Sequence, residues 1–238
     1  MILQIKDLVK KFGDKTAIDI PELNISKGEI IGLVGNNGAG KTTLFRMILD
    51  LLKADNGYVL SKDVDVSKSE DWKSYTGAFI DNRFLIEYLT PEEFLYFVGE
   101  TYGLKRLDID ERLQEFNILM NEEILMQKKY IRNFSAGNKQ KIGIIAAMMV
   151  RPEILILDEP FNFLDPSSQM EIKDLILKES RERGATILIS SHNLSYTTDI
   201  STRMILLESG TILKDINNSE SAAMEELTEY FIKKTISS

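Results

Sequence analysis

The spacing of apolar residues near the start of the chain changes from that of strands to that of a helix. Ile2–Val9 alternates imperfectly between apolar and polar residues, and Ala17–Leu23 has a similar pattern, so both predict strands. Ile30–Val34 is a short apolar run that stops at a glycine, as buried parallel strands do. Lys41–Leu52 then carries its apolar residues at helical intervals. The pattern predicts a buried strand joined to a helix by a glycine-rich turn.

The middle of the chain differs from both ends. Asn56-Gly57 is a turn signal, and Tyr58–Leu60 and Gly77–Ile80 are short strand candidates. From Thr90 to Val150 the sequence predicts about three helices and no convincing strand. Pro91 stands where the first turn of a helix favours proline. This stretch is therefore predicted to be a helical insertion.

Strand and helix patterns alternate again after the insertion. They cover Ile154–Leu157, Ser167–Arg183, Thr186–Ile189, Met204–Leu207 and Thr211–Leu213, followed by an amphipathic helix over Glu220–Lys234. The last two strands flank Ser209-Gly210 as a predicted hairpin. The predicted division is a core with an antiparallel β part over 1–81 and 151–216, a helical subdomain over 82–150, and a C-terminal helix over 217–238.

Composition limits the kind of protein this can be. The 238 residues are 43% hydrophobic and 28% charged, which is ordinary for a globular α/β protein. The net charge of -8 argues against nucleic acid as the main partner, because phosphate contacts need a basic surface. The absence of cysteine excludes disulfides and thiolate metal sites. The longest apolar stretch, Ile142–Val150, is far shorter than the roughly 20 residues that cross a bilayer, so we expect a cytoplasmic protein.

The turn after the buried strand has the pattern of a phosphate-binding P-loop. It consists of Gly35, Asn36, Asn37, Gly38, Ala39, Gly40, Lys41 and Thr42, with Thr43 beside it. Its glycines let successive backbone N–H groups point at phosphate oxygens, and the following helix adds its positive end. Lys41 is expected to reach the β- and γ-phosphates, and Thr42 to ligate Mg²⁺. A glycine-rich turn without a ligand is the alternative.

Two acids and the only histidine follow apolar strands. Asp158 and Glu159 end the run Ile154–Leu157, and the carboxyl ends of strands are where open α/β sheets bind ligands. Asp158 is expected to hold Mg²⁺, directly or through water, and Glu159 to act as a general base on the attacking water. A solvated acidic turn is the alternative. His192 follows another strand at the same predicted edge, which favours a γ-phosphate contact over a purely structural role.

With these motifs in place, the sequence resembles the ATP-binding subunit of an ABC transporter from Phe12 to about Lys214. Its segment Phe-Ser-Ala-Gly-Asn at 134–138 is similar to the family's signature, usually Leu-Ser-Gly-Gly-Gln, with alanine and asparagine as departures. The resemblance implies that Ser135, Gly137 and Asn138 complete the ATP pocket of a facing subunit. Ser135 is also a good helix N-cap, and both roles are compatible.

The resemblance also assigns roles to three further residues. Phe12 matches the aromatic residue that stacks on adenine, with core packing as the alternative. Asp165 matches the aspartate that spans the dimer interface, although Phe163 stands in the same loop where a small residue is common. Asp81 stands where the family usually has glutamine. Contact between Asp81 and Mg²⁺ is implied, with a solvated loop acid as the alternative.

The implied fold is α/β: a P-loop NTPase core with a mainly parallel sheet, an antiparallel β subdomain and an inserted helical subdomain. The implied function is ATP hydrolysis with ATP and Mg²⁺, by a homodimer or a heterodimer with a related subunit. It would drive a separate integral membrane permease from the cytoplasmic face of the membrane. The signature variant resembles that of stand-alone subunits, often of exporters, and no nucleic acid partner is expected. The alternatives are a soluble ABC ATPase and a non-hydrolysing ATP switch.

Overall fold

The computed structural model of the chain describes residues 1–192, 194–218, 227–228 and 230. Its strands are β1 (Leu3–Phe12), β2 (Lys15–Ile25), β3 (Ile30–Val34), β4 (Asn56–Ser61), β5 (Val64–Asp65), β6 (Thr76–Phe79), β7 (Ile154–Asp158), β8 (Thr186–Ser191), β9 (Arg203–Glu208) and β10 (Thr211–Asn217). Its helices are α1 (Lys41–Ile48), α2 (Pro91–Thr101), α3 (Arg106–Gln114), α4 (Asn117–Met120), α5 (Ala136–Met149), α6 (Pro166–Arg183) and α7 (Leu194–Thr198). The predicted C-terminal helix over 217–238 lies outside the described residues, apart from 217–218, 227–228 and 230. Of the helices in the described ranges, none has the length and apolar character to cross a bilayer.

Two sheets form the core. The larger has the order β10-β9-β3-β8-β7-β6; the strands from β9 to β6 run parallel, and β10 joins β9 as an antiparallel hairpin. The smaller sheet, β2-β1-β4-β5, is antiparallel throughout. Leu44 and Phe45 of α1 belong to one buried apolar cluster with residues of both sheets. The predicted α/β fold, with a mainly parallel sheet and an antiparallel part, is confirmed.

The parallel register brings three strand ends to one edge of the larger sheet. β3, β7 and β8 are buried along their whole length, as expected for strands that are covered on both faces. Val34 of β3 lies opposite Ser191 of β8, and Asp158 of β7 lies opposite Ser190. The P-loop, the acidic pair and His192 each follow one of these strands, so the fold delivers all three to the same edge.

The first helix is shorter than its apolar spacing predicts. The prediction extended it to Leu52, whereas α1 ends at Ile48. Asp50 takes a left-handed backbone conformation with φ 49°, and the N–H groups of Leu51 and Leu52 both donate to the carbonyl of Arg46. A left-handed residue breaks the helical hydrogen-bond ladder, so the remaining apolar residues continue in a turn.

The Asn56-Gly57 turn prediction was wrong, because both residues begin β4. Asn56 pairs with Val9 of β1, and the register between the two strands shifts beside this pair. Gly57 has φ 76°, and a Cβ there would lie 2.2 Å from the carbonyl oxygen of Asp7. The glycine therefore permits a close approach of two strands at a bulge.

The stretch between β6 and β7 is helical, as predicted. It holds α2 to α5 and two short 3₁₀ turns, and none of its residues, all of which are described, forms a strand. Thr90 caps α2: its hydroxyl accepts from the N–H of Glu93, whose carboxylate accepts from the N–H of Thr90. Such a cap stabilises the helix by about 1 kcal/mol. Pro91 occupies the first turn, as its position predicts.

One carboxylate joins this insertion to the core. Glu115, at the end of α3, accepts hydrogen bonds from Arg151 (2.6 Å), Lys178 (3.1 Å) and Arg183 (2.9 Å). Lys178 and Arg183 belong to α6, so these bonds cross from the insertion to the core. Burial raises the pKa of Glu115, but the three cations together outweigh it and hold the pKa at about 2.

We expect Glu115→Gln to lower the free energy of unfolding at pH 7 by about 1–3 kcal/mol, because three cations lose their shared anion. A lowered carboxylate pKa adds stability above the unfolded-state value near 4.5, and this contribution is lost as the pH falls toward 2. The difference between wild type and variant, measured by urea unfolding, should therefore shrink below about pH 4.5.

The control is Asp199→Asn, which removes a more exposed acid that pairs with Lys173. It should change the unfolding free energy by less than about 1 kcal/mol. Equal effects of the two variants, or a Glu115→Gln difference that stays constant with pH, would contradict this role of Glu115.

Candidate functional site

The P-loop turns from β3 into α1 and directs its lysine back toward its own start. Gly38 and Gly40 have φ 79° and 112°, a backbone region that favours glycine. The Lys41 side chain is buried, and its Nζ donates to the carbonyl of Gly35 at 2.6 Å. Because α1 begins at Lys41, the first N–H groups of the helix face the loop. A buried ammonium and a helix N-terminus together form an anion site.

A cavity of about 410 Å³ opens over this loop. It is lined by residues 36–43 of the P-loop and by Phe12, Lys15, Thr16, Ala17, Glu159 and Ser209. Phe12 ends β1 and is 53% exposed, so its ring does not fill the core. An exposed ring in a cavity wall offers its face to a flat ligand.

Asp158 and Thr42 lie side by side at the end of β7. The Thr42 hydroxyl donates to Oδ2 of Asp158 at 2.5 Å, and the Ser190 hydroxyl donates to Oδ1. Burial raises the pKa of Asp158, against the opposing effect of these two hydrogen bonds. A hydroxyl and a carboxylate are hard oxygen donors, and Mg²⁺ commonly takes only one or two protein oxygens together with phosphate and water. The pair therefore fits a Mg²⁺ ion beside bound phosphates.

Glu159 contacts both the P-loop lysine and the histidine. Its Oε1 lies 3.5 Å from Lys41 Nζ, and its Oε2 lies 2.8 Å from His192 Nδ1. Its backbone has φ 50°, which is uncommon for a residue with a side chain. The Glu159 N–H donates to the hydroxyl of Ser190 at 2.9 Å and so anchors this conformation. The structure thus gathers the expected base, the lysine and the histidine into one group.

Asp81 is paired with arginine. Its Oδ2 accepts from Nε and Nη2 of Arg83 at 2.8 and 2.6 Å, and Oδ1 accepts from the Arg83 N–H at 2.8 Å. Arg46 of α1 lies 4.0 Å away. The hydrogen bond from Arg83 is the main cause of the lowered pKa of Asp81. In this geometry its carboxylate faces cationic side chains of the chain itself.

The signature-like segment 135–138 forms the N-terminus of α5. The exposed Ser135 caps the helix by accepting from the N–H of Asn138 at 3.1 Å. A Cβ at Gly137 would lie 2.6 Å from the carbonyl oxygen of Phe163, so glycine lets the first turn of α5 approach the loop before α6. Asp165 is the N-cap of α6. Of the described residues lining the P-loop cavity, none belongs to this segment, and Asp165 is not among them.

The sequence motifs did not identify two residues, Ser190 and Gln140, that hydrogen-bond to the acidic pair. Ser190 binds both the carboxylate of Asp158 and the backbone of Glu159. Gln140 Nε2, on α5, donates to the carbonyl of Glu159 at 3.0 Å. The serine could have been found from its position at a strand end before the histidine. Gln140 gave no local signal, because only the tertiary fold brings α5 next to the end of β7.

A P-loop between strand and helix, with an acidic pair and a histidine at the same sheet edge, defines a P-loop nucleoside triphosphatase. The profile of the ABC transporter family matches residues 18–162, which is more than half of the chain. The chain belongs to the ABC transporter family, as an ATP-binding ATPase subunit.

Individual relatives agree with this assignment over most of the chain. The bacitracin transport ATP-binding protein BcrA of Bacillus licheniformis is 34% identical over 217 residues, covering 90% of this chain and 69% of that protein. The ABC transporter ATP-binding protein NatA of Bacillus subtilis is 30% identical over 246 residues, covering 99% and 98%. A solved ATP-binding subunit of an ABC transporter has a TM-score of 0.87 at 26% identity, covering 99% of this chain and 100% of that one. A dimeric cassette bound to ADP and Pi, with TM-score 0.81 and 23% identity over 91% of this chain and 98% of that one, has the same fold.

Phe12→Ala is expected to weaken ATP binding about 5- to 100-fold, because stacking a base on an aromatic ring contributes about 1–3 kcal/mol. Stacking tolerates different bases, so GTP should lose about as much affinity. Phe97→Ala is a matched control, since Phe97 of α2 is 52% exposed and does not line the P-loop cavity. Equilibrium nucleotide binding measures the effect. Unchanged ATP affinity in Phe12→Ala would exclude the stacking role.

Proposed function

We propose that two copies of this chain, or one copy and a related subunit, bind ATP between them and drive a separate membrane permease. The supporting observation is that one chain carries both a P-loop cavity and a signature segment, but the signature segment does not line that cavity. A head-to-tail pairing with two-fold symmetry brings the signature of each subunit to the P-loop of the other. Two equivalent ATP sites then form in the interface.

The exposed N-terminus of α5 offers additional N–H donors for a phosphate that is bound in the P-loop cavity of the facing subunit. A helix N-terminus carries a partial positive charge and unpaired N–H donors, which suit a phosphate. Ser135, Gly137 and Asn138 therefore bind the γ-phosphate of ATP held by the facing subunit. A Cβ at Gly137 would meet the Phe163 carbonyl, so the loop that leads to Asp165 passes beside this N-terminus and borders the interface.

Within its own half of the site, the chain binds and activates the substrate. Lys41 binds the β- and γ-phosphates, and Phe12 stacks on adenine. Backbone N–H groups of Asn36, Asn37, Gly38, Ala39, Gly40, Thr42 and Thr43 surround the phosphates. Thr42 and Asp158 hold Mg²⁺, which neutralises phosphate charge when bound. Glu159 accepts the proton of the attacking water, and His192, hydrogen-bonded to Glu159, contacts the γ-phosphate.

Asp81 can contact Mg²⁺ only after it separates from Arg83. Its carboxylate is held by Arg83, so contact with Mg²⁺, direct or through water, first requires this pair to open. The Arg83 side chain is exposed, so water weakens this pair and it can open at little cost. Asp81 thus moves between an arginine-bound position and a metal-facing position.

The proposed organisation has a core over 1–81 and 151–216, a helical subdomain over 82–150 and a C-terminal helix over 217–238. The chain acts as a peripheral subunit on the cytoplasmic face of the membrane, where it binds an integral membrane permease that selects the cargo. The relatives named for bacitracin transport support a transport role. No nucleic acid partner is expected for a chain with a net charge of -8.

A groove of about 660 Å³ between the core and the helical insertion is the proposed permease contact. Its lining includes Leu49, Leu51, Trp72, Ala78, Ile80, Phe84 and Tyr102. Leu51 and Phe84 are each 53% exposed. An apolar groove with exposed side chains suits an amphipathic helix of a partner. The linker 82–89, which contributes Phe84, therefore lies where a permease helix would press on it.

Glu159→Gln tests the proposed reaction. Loss of a general base slows turnover about 10²- to 10⁴-fold, whereas ATP binding should persist. The variant should therefore accumulate as an ATP-bound dimer, seen by sedimentation, while phosphate release nearly stops. Lys41→Ala should instead weaken ATP binding itself.

The control for this test is Glu153→Gln, which changes a partly exposed acid that precedes β7 and pairs with Lys62. It should hydrolyse ATP at the wild-type rate. Turnover of Glu159→Gln within tenfold of wild type would remove Glu159 as the base, and a monomer at saturating ATP would contradict the dimer. A wild-type chain that binds ATP without releasing phosphate would instead be a switch.

Phe84→Asp tests the permease groove. A charge there should prevent burial against an apolar partner, so recovery of the chain with membranes that contain its permease should fall at least about fivefold. The control is Leu213→Asp, an exposed position on β10 outside the groove. ATP binding in solution shows whether each variant is folded. Equal membrane recovery of the two folded variants would exclude the groove.

A further inference from the structure

Two loop segments of the helical insertion are paired beside the signature. The N–H of Ile131 donates to the carbonyl of Leu89 at 2.8 Å, and the N–H of Arg132 donates to the carbonyl of Glu87 at 3.1 Å. One segment belongs to the linker 82–89 that leaves the core. The other runs directly into the N-cap of α5. Backbone hydrogen bonds therefore tie the entry of the signature helix to the linker.

Side chains reinforce this pairing. The guanidinium of Arg132 lies 4.9 Å from the ring centroid of Tyr88, on the linker, and 5.2 Å from that of Tyr130. On α5 itself, Lys139 Nζ donates to the carboxylate of Glu87 at 2.9 Å. We refer to these five side chains, Tyr88, Arg132, Tyr130, Glu87 and Lys139, as the linker clip.

The two aromatic side chains of the linker clip are exposed to solvent. Tyr88 is 70% and Tyr130 46% exposed, so burial of apolar area does not account for them. Each exposed cation–π contact contributes little to overall stability, but enough to fix the direction of a loop. That loop continues within a few residues to Ser135, whose orientation decides where the N-terminus of α5 points.

We propose that Arg132 is a positioning residue for the signature. Through the clip it holds the N-terminus of α5 in the orientation that receives ATP from the facing subunit. Arg132 acts through Tyr88 and Tyr130 and lines neither the P-loop cavity nor the proposed permease groove. The inference rests on the proposed two-fold dimer.

The experiment uses the Glu159→Gln chain as parent, because it traps the ATP-bound dimer. Adding Arg132→Ala should raise the protein concentration for half-dimerisation at saturating ATP by at least about 5-fold, since two cation–π contacts are lost in each of the two subunits. ATP affinity measured on the dilute monomer should stay within about twofold, because the P-loop is untouched. Arg132→Lys keeps a cation at the rings and should recover most of the dimer.

Arg106→Ala is the matched control. Arg106, on α3 of the same insertion, lies 5.3 Å from the ring of Tyr96 and is exposed, like Arg132. Its loss removes the same kind of contact outside the clip and should leave dimerisation unchanged. An Arg132→Ala chain that dimerises like its parent, or an equal effect of Arg106→Ala, would overturn the proposal. So would an equal loss of monomer ATP affinity.

Two further outcomes are distinguishable. A parent chain that stays monomeric at saturating ATP overturns the proposed dimer and, with it, the role of Arg132. If Arg132→Ala does not fold, Tyr130→Leu takes its place, because it removes one ring and leaves the arginine. One lost contact in each subunit should shift half-dimerisation by at least about 2-fold, and the absence of a shift would count against the clip.

Discussion

The active-site group depends on the parallel pairing of β3, β8 and β7. This pairing sets Val34 level with Ser191 and Asp158 level with Ser190, so residues from three distant parts of the chain meet at one edge. Strand side chains alternate between faces, and a slip of one residue in β7 would turn Asp158 away from its partners. The apolar side chains along these strands are buried, and they oppose such a slip because it would expose or misplace all of them at once.

Ser190 shows how this edge is organised chemically. Its one hydroxyl donates to Asp158 and accepts from the N–H of Glu159, so it holds the proposed metal ligand and the proposed base together. Glu159 in turn lies between Lys41 and His192. Each ionisable group of the site is thus fixed by at least one neighbour. Such preorganisation is what catalysis by charge stabilisation requires, because little rearrangement remains to be made when substrate binds.

Much of the fold could be predicted from local patterns, but not where the chain depends on tertiary contacts. Ile30–Val34 and Ile154–Leu157 are uniformly apolar, and the P-loop carries its own signal, so this part of the sheet and the location of the site followed directly. The early end of α1 depends on the conformation of Asp50, and the bulge at Gly57 depends on Asp7 in another strand. Neither feature can be recognised from the residues next to it in the sequence. The same is true of Glu115 and Gln140, whose partners lie on other elements.

The hydrogen bond from Gln140 to the carbonyl of Glu159 connects α5, which carries the signature segment, to the chain's own P-loop site. Ser135 and Gln140 stand about five residues apart on one helix, or roughly 7 Å along its axis. In the proposed dimer, ATP bound by the partner contacts the first of these residues, and the second supports the backbone of the chain's own base. In such a dimer, a tilt of α5 would be felt at both positions, because they lie on the same helix. Less than two turns of α5 thus separate the residue assigned to the partner's ATP from the residue that supports the chain's own base.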